Sequence, residues 1–353
     1  MQILKNKKEA IRAVHPNNRQ VNPAFLQIAP VLEGNFFTRA ECLENLQKNI
    51  LYTGKGKRPI FKQLFLETIN KCDLKCPMCY TAAAGINGTA RNTIEEWKEA
   101  VLIGKRQGVR VIAIAGRGEP LLDDRLFVLG EMVRKEGLDF LVFTRCNVDY
   151  KIAERLKEVC TSVVIKLFAL TPEVHDFLVG VRGAHQKAMA GLKNLLRVGF
   201  KAPNLGIDTV IVKKNLPELA RLLRFCRRLE VIPFFERLWV KGRGKNFAFE
   251  GGLNNAETDV VFEYLRTIDE KEFGLTLVYK PGMPVLAHAE TDKRTVTFHI
   301  DVFGNVRPGL GTDVLIGNMR NPKDGLENVL NMTDKWNAFY RQVWQEIEDK
   351  VEK

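Results

Sequence analysis

The sequence predicts an α/β fold, a parallel sheet covered by helices, and three observations carry that expectation. Short β-like runs alternate with amphipathic helical patterns from about residue 60 to residue 245. Glycines fall where several of the helical patterns end, and no Gly-, Pro- or Ser-rich linker divides the block. A strand and crossover helix repeated in this way implies parallel pairing, because parallel neighbours need a connection of about a dozen residues or more.

Taken in order, the strand candidates are 61–68, 109–115, 139–144, 162–169, 205–212 and 233–240. The helical patterns between them lie near 93–106, 125–136, 150–159, 184–198 and 217–229. Thr93 and Glu96 have the form of a capping box at the first helix, and Gly108, Gly137 and Gly199 each stand where a helix should stop. Residues 1–59 read as an irregular extension with one helix near 39–50. After Asn246 the alternation weakens: a helix near 256–269, β-like runs at 275–279 and 295–302, a turn at Phe303-Gly304-Asn305 and a long helix after Gly325. The expected organisation is an extension (1–59), a core (60–245) and a smaller α/β attachment (246–353).

Composition narrows the class. With 45% hydrophobic and 27% charged residues, the 353-residue chain can bury a substantial core. Its longest apolar runs, such as 109–115, are too short to span a bilayer. The basic N-terminus leads into no apolar segment, so no secretory signal is expected and the cytoplasm is the expected location. A net charge of +12 invites a nucleic-acid reading, but the basic residues are dispersed, and the densest run (Arg221 to Arg228) lies on an amphipathic helix. A general attraction for an anionic substrate is the reading retained.

Seven cysteines, an odd number, argue against a disulfide framework. Cys42, Cys146, Cys160 and Cys226 are scattered, whereas Cys72, Cys76 and Cys79 crowd together just after the first strand candidate. Their C-x3-C-x2-C spacing lets a loop wrap a cubane and bind three of its four irons. The fourth iron is left open, as a catalytic metal site requires. Structural zinc commonly shows two paired cysteine clusters or a nearby histidine, and His15 and His175 stand alone. The spacing by itself leaves a non-enzymatic iron–sulfur or zinc protein as the rival.

With the run Leu66 to Cys72 before it and Gly116-Arg117-Gly118-Glu119-Pro120 at the end of the second strand, this motif resembles the radical S-adenosylmethionine (SAM) superfamily over roughly residues 60–245. The resemblance implies a partial, open (β/α)6 barrel of the TIM type, one [4Fe–4S] cluster, and SAM cleaved at it to methionine and a 5′-deoxyadenosyl radical. It also implies SAM contacts: Glu119 accepting from the ammonium, with Gly116, Arg117, Gly118 and Pro120 in the same turn, and Met78 against adenine beside Tyr80. Thr144 and Asn147 fall in a Thr-Asn-Gly-like position, Lys166 where a serine is common, and Thr209 and Asn215 where ribose or adenine contacts are found.

The C-terminal part resembles SPASM or twitch extensions, with Ala289 and Gly309 where cluster thiolates would stand, so a scaffold without an auxiliary cluster is expected. That favours redox-neutral chemistry: elimination, decarboxylation, epimerisation or addition. The expected substrate is a small anionic or sugar- or nucleoside-like molecule, with a ribosomal peptide as the alternative and flavodoxin or ferredoxin as electron donor. Cys146 is the candidate hydrogen-atom donor, Glu236 the acid/base, Arg237 an anion clamp, and the loop Lys241-Gly-Arg-Gly-Lys245 a second contact for an anionic group.

Overall fold

The computed structural model describes residues 60–83, 85–202, 204–274, 295–323 and 325–339. The expected extension, the strand at 275–279 and the pair His288-Ala289 lie outside the described residues.

All six predicted strands are present: β1 (Ile60–Leu66), β2 (Val111–Ile114), β3 (Asp139–Thr144), β4 (Ser162–Lys166), β5 (Leu205–Ile211) and β6 (Ile232–Arg237). They pair in parallel in the order β6-β5-β4-β3-β2-β1. The connecting helices are α1 (Ile94–Arg106), α2 (Leu126–Lys135), α3 (Tyr150–Val159), α4 (Pro172–Val179), α5 (Ala184–Arg197) and α6 (Leu216–Arg228). This is the partial (β/α)6 barrel.

Three predicted strands run two or three residues too far, because β1, β4 and β6 leave the ladder where their C-terminal ends become loops at the barrel mouth. Helix α4 is missing from the sequence reading. Its start is Pro172 in the first turn, which gives up no intrahelical hydrogen bond there, and its stop is Gly180 in the left-handed region (φ 67°). The Thr93–Glu96 capping box forms as expected, with bonds of 3.1 and 2.7 Å.

The strands bury both faces, which is why they read as near-continuous apolar runs. Leu64, Ile112, Phe140, Val163 and Ile207 face the helices and pack with Trp97, Leu129, Leu156, Leu195 and Leu222. Phe65, Val111, Ala113, Leu141, Val164 and Ile232 form a separate cluster on the inner face. Towards the strands' C-terminal ends that inner face turns polar.

The chain beyond β6 forms α7 (Gly244–Gly251) and α8 (Asn255–Phe273), then rejoins the same sheet. Strand β7 (Thr295–Ile300) pairs parallel to the free side of β1, and β8 (Asn305–Arg307) and β9 (Gly317–Asn318) follow antiparallel around the predicted Phe303-Gly304 turn. The sheet therefore continues into the expected attachment. The long helix expected after Gly325 is interrupted: α9 (Gly325–Leu330) ends, and residues 333–339 are helical again. The Trp336 indole donates to the Val329 carbonyl (3.1 Å) while its ring packs edge-on to Phe61, folding the second segment back onto β1. Among the described residues no helix is long and apolar enough to cross a membrane.

Helix α8 is tied to the barrel by a buried two-pronged pair, Arg227 Nε and Nη2 to the Asp269 carboxylate at 2.9 and 2.8 Å. Replacing Arg227 by Met should destabilise the protein by about 3–5 kcal/mol, since it breaks a buried two-pronged ion pair from one side. Denaturant unfolding of the variant against the parent measures this; a loss below about 1 kcal/mol would contradict it.

Candidate active site

The C-terminal ends of β1 to β6 surround one cavity, and the cysteine loop forms part of its wall. Cys72, Cys76 and Cys79 all line it, half-buried and unbonded to one another. The loop's shape is set by its backbone. Cys72 N–H donates to Gly85 O (3.0 Å), Lys75 N–H to Val179 O at the end of α4 (2.9 Å), and Glu119 N–H to Lys71 O (2.8 Å). Burial pushes Cys72 up to about 11 and, with the neighbouring thiols adding to it, Cys76 up to about 12. Burial acts upward on Cys79 too, but the Thr81 hydroxyl at 3.3 Å, the Ala83 backbone and Arg243 outweigh it, and Cys79 lies below its ordinary value.

Across from the cysteines, Glu119 is 2% exposed and joins β2 to β3. Its Oε1 accepts from the Thr144 hydroxyl (2.5 Å) and Leu121 N–H (3.2 Å), and its Oε2 from Arg145 N–H (2.8 Å). Burial raises its pKa against these donors. An oxygen with two lone pairs and one donor leaves Oε2 an acceptor position for a ligand. The glycines of this turn have a duty within the chain: a Cβ on Gly118 (φ 84°) would sit 2.0 Å from Ile69 O, and one on Gly116 would sit 2.6 Å from Glu67 Oε1. The close approach these glycines allow is to the protein's own β1 and the loop after it.

Met78, Tyr80, Gly116, Arg117, Gly118, Pro120, Thr144, Lys166, Glu236 and Arg237 also line the cavity. Four other candidates do not. Thr209 lies on the helix-facing side of β5 and donates to Leu167 O (2.6 Å); the one-residue step to Asp208 reverses the face, and it is Asp208 that lines the cavity. Asn215 is wholly buried in a knot with Phe168 O, Val210 O and Val212 N–H, fixing the ends of β4 and β5. Asn147 is exposed and borders a small adjacent pocket instead.

Cys146 sits in the helix-side core with a left-handed backbone (φ 68°). Gly191 of α5 is packed so tightly against it that a Cβ there would lie 2.7 Å from Sγ. Its thiol faces α5, so the expected hydrogen-atom donor is not brought to the cavity.

The polar end of the inner face is a triad. Lys166 Nζ bonds Asp208 Oδ2 and lies 3.4 Å from Glu236 Oε1. Burial and then the adjacent Asp208 carboxylate push Glu236 up to about 8. Arg237 is engaged elsewhere, donating to Asn255 and to Asp259 (2.8 Å) at the start of α8. The basic loop after β6 likewise meets the protein's own acceptors: Lys241 pairs with Asp313 (2.7 Å), and Arg243 turns onto the cysteine loop. Asp208 and the cavity-lining Trp239, which meets the Tyr80 ring at 4.9 Å, were missed by sequence reasoning, and Arg243 was read only as part of a basic loop. A carboxylate inside an apolar strand was the available signal for Asp208.

Residues 66–226, from the last residue of β1 through most of α6, match the family model of the Radical SAM superfamily. The chain carries a radical SAM domain, the catalytic domain of enzymes whose cofactors are a [4Fe–4S] cluster and SAM. More particularly, it is 29% identical over 237 residues to the Fe-coproporphyrin III synthase of Methanosarcina barkeri, covering 65% of this chain and 57% of that protein. It is 30% identical over 176 residues to the pre-heme d1 synthase of Dinoroseobacter shibae, covering 49% and 43%. The chain thus spans about half the length of these curated relatives. Among solved structures, Streptococcus suis SuiB bound to precursor peptide SuiA shares the fold, with a TM-score of 0.63 at 19% identity over 92% of this chain and 74% of that one.

The residues present fit these cofactors. Three thiols on one wall match a cubane that takes one thiolate per iron. The spare acceptor position on Glu119 suits an ammonium. Glu119→Gln places an amide N–H₂ among three donors, so SAM affinity should fall by roughly 1.5–3 kcal/mol, the scale of a charged hydrogen bond. Equilibrium SAM binding to the reconstituted protein tests it, and unchanged affinity would contradict the assignment.

Proposed function

We propose that the chain is a radical SAM enzyme that holds one cluster on Cys72, Cys76 and Cys79, SAM against the Glu119 wall, and a small molecule over the polar end of the inner face. The observation that carries this reading is convergence: the three thiols, the Glu119 turn and the Lys166–Asp208–Glu236 triad line a single cavity at the mouth of one barrel. When bound, the cluster and SAM supply a 5′-deoxyadenosyl radical that removes a hydrogen atom from substrate.

The chain's own residues do the rest. The backbone bonds of the cysteine loop fix where the thiols stand, and Met78 and Tyr80 form the floor beside them. Phe65, Phe143, Phe168, Phe234 and Trp239 give the cavity an apolar, aromatic wall that excludes water and suits a flat ring system. The names of the two relatives above both denote tetrapyrrole products, which supports a small, planar substrate over a peptide. Glu236, its carboxyl pushed up to about 8 by burial and the adjacent Asp208, is placed to give a proton to that substrate or take one back as the reaction closes.

Gly309 where a thiolate would stand favours redox-neutral outcomes: elimination, decarboxylation, epimerisation or addition. The electron for SAM cleavage comes from an external donor such as flavodoxin or ferredoxin, and the cytoplasm suits that exchange.

Anaerobic reconstitution should give about four irons per chain, lost when any of the three cysteines becomes alanine. Zinc without iron, or about eight irons, would contradict the reading. A second expectation concerns pH. Glu236 donates in its protonated form, so product formation should decline as pH rises through about 8, while 5′-deoxyadenosine release does not follow it. In Glu236→Gln that pH dependence should vanish together with most of the product. A variant with the parent's product rate and profile would remove Glu236 from the mechanism.

A further inference from the structure

The open seam of the barrel lies between β6, at one edge of the parallel sheet, and β1, whose free side is taken by β7. Among the described residues no strand pairing joins β6 to β1. The connection after β6 nevertheless reaches across this seam to the cysteine loop, and three donors of one residue make the join. Arg243 Nε donates to Cys76 O (2.9 Å), its Nη1 to Ala83 O (3.1 Å), and its backbone N–H to Cys79 O (2.9 Å).

The approach is close enough to need glycine. A Cβ on Gly242 (φ 54°) would lie 2.5 Å from Tyr80 O and 2.7 Å from Cys79 O. One on Gly244 would lie 2.7 Å from Trp239 O and 3.2 Å from Met78 O. Gly-Arg-Gly is therefore a clasp in which two glycines let the chain in and the arginine between them holds.

From this we propose that Arg243 is a positioning residue for the cluster-binding loop, and that its charge raises the reduction potential of a cluster held there. The first part follows from geometry. A planar fork bonds two carbonyls on either side of Cys79, fixing the loop's two ends relative to each other, which a single ammonium cannot do. The second follows from Coulomb's law. Reduction adds one negative charge to the cluster, and a guanidinium cation bonded to the carbonyls of Cys76 and Ala83 favours that state in a low-dielectric site. The electron comes from the external donor, and no bond to Arg243 is made or broken. The proposal rests on the assignment of the cluster to Cys72, Cys76 and Cys79.

The test compares reconstituted parent, Arg243→Lys and Arg243→Met, with Arg224→Met as control; Arg224 pairs with Glu272 on the outer surface, far from the loop's contacts. Two quantities are read: the rate of iron release to a ferrous chelator, and the midpoint potential from an EPR-monitored redox titration. Arg243→Met should release iron at least tenfold faster than the parent and titrate at a more negative potential. Arg243→Lys should also release iron faster but keep a potential near the parent's, because the charge remains and the fork is lost. The control should match the parent in both.

If Arg243→Met fails to fold, Arg243→Lys decides the matter: parental iron release there overturns the positioning role. Parental potential in a folded Arg243→Met overturns the electrostatic one. A parent that itself fails to hold four irons overturns the cysteine assignment, which separates that failure from a failure of Arg243.

Discussion

A loop that must present three thiols has little besides its own backbone hydrogen bonds to fix its shape. Residues 71–83 find partners in three different connections of the barrel. Glu119 after β2 donates to Lys71, the end of α4 accepts from Lys75, and Arg243 after β6 donates to Cys76, Cys79 and Ala83. The cysteine loop is thus held, beyond its own local turns, by connections distant from it in sequence. A shift in any one of those connections moves the thiols relative to the cavity they line, and this is why glycines recur at 116, 118, 180 and 242, each facing backbone or the Glu67 carboxylate.

Glu67, one residue beyond β1, extends the same logic to the C-terminal strands. It is 3% exposed, and its carboxylate accepts from Arg117 N–H (2.8 Å) on one side and Val302 N–H (3.2 Å) on the other, with His299 Nε2 3.4 Å away. The turn that carries Glu119 and the hairpin formed by β7 and β8 therefore meet at one buried carboxylate. Because β7 also pairs along β1, the C-terminal strands help build the mouth, and a cut near residue 246 would remove part of its wall along with them.

Much of this was legible in the amino-acid sequence, for definable reasons. Strands and crossover helices announce themselves by period, and the cysteine spacing together with Gly118-Glu119-Pro120 pointed to the cofactor class. Side-chain direction near strand ends was less accessible. Thr209 and Asp208 are adjacent, and only the pairing of β5 with β4 and β6 settles which faces inward. Cys146 stands in a position whose left-handed backbone would suit glycine, and burial against Gly191 decides its orientation; neither fact has a signature in one sequence. Arg243 was visible only as part of a basic loop, since its partners are carbonyls 160 to 167 positions away, and carbonyls leave no trace in composition.

The central claim is that the three thiols hold a single cluster whose open iron meets SAM in this cavity. EPR spectroscopy of the anaerobically reconstituted, dithionite-reduced protein, recorded with and without SAM, tests it most directly. The account predicts one [4Fe–4S]⁺ signal that changes its g values when SAM is added and is absent from Cys76→Ser. A reduced-cluster signal indifferent to SAM, or one that survives in Cys76→Ser, would contradict it.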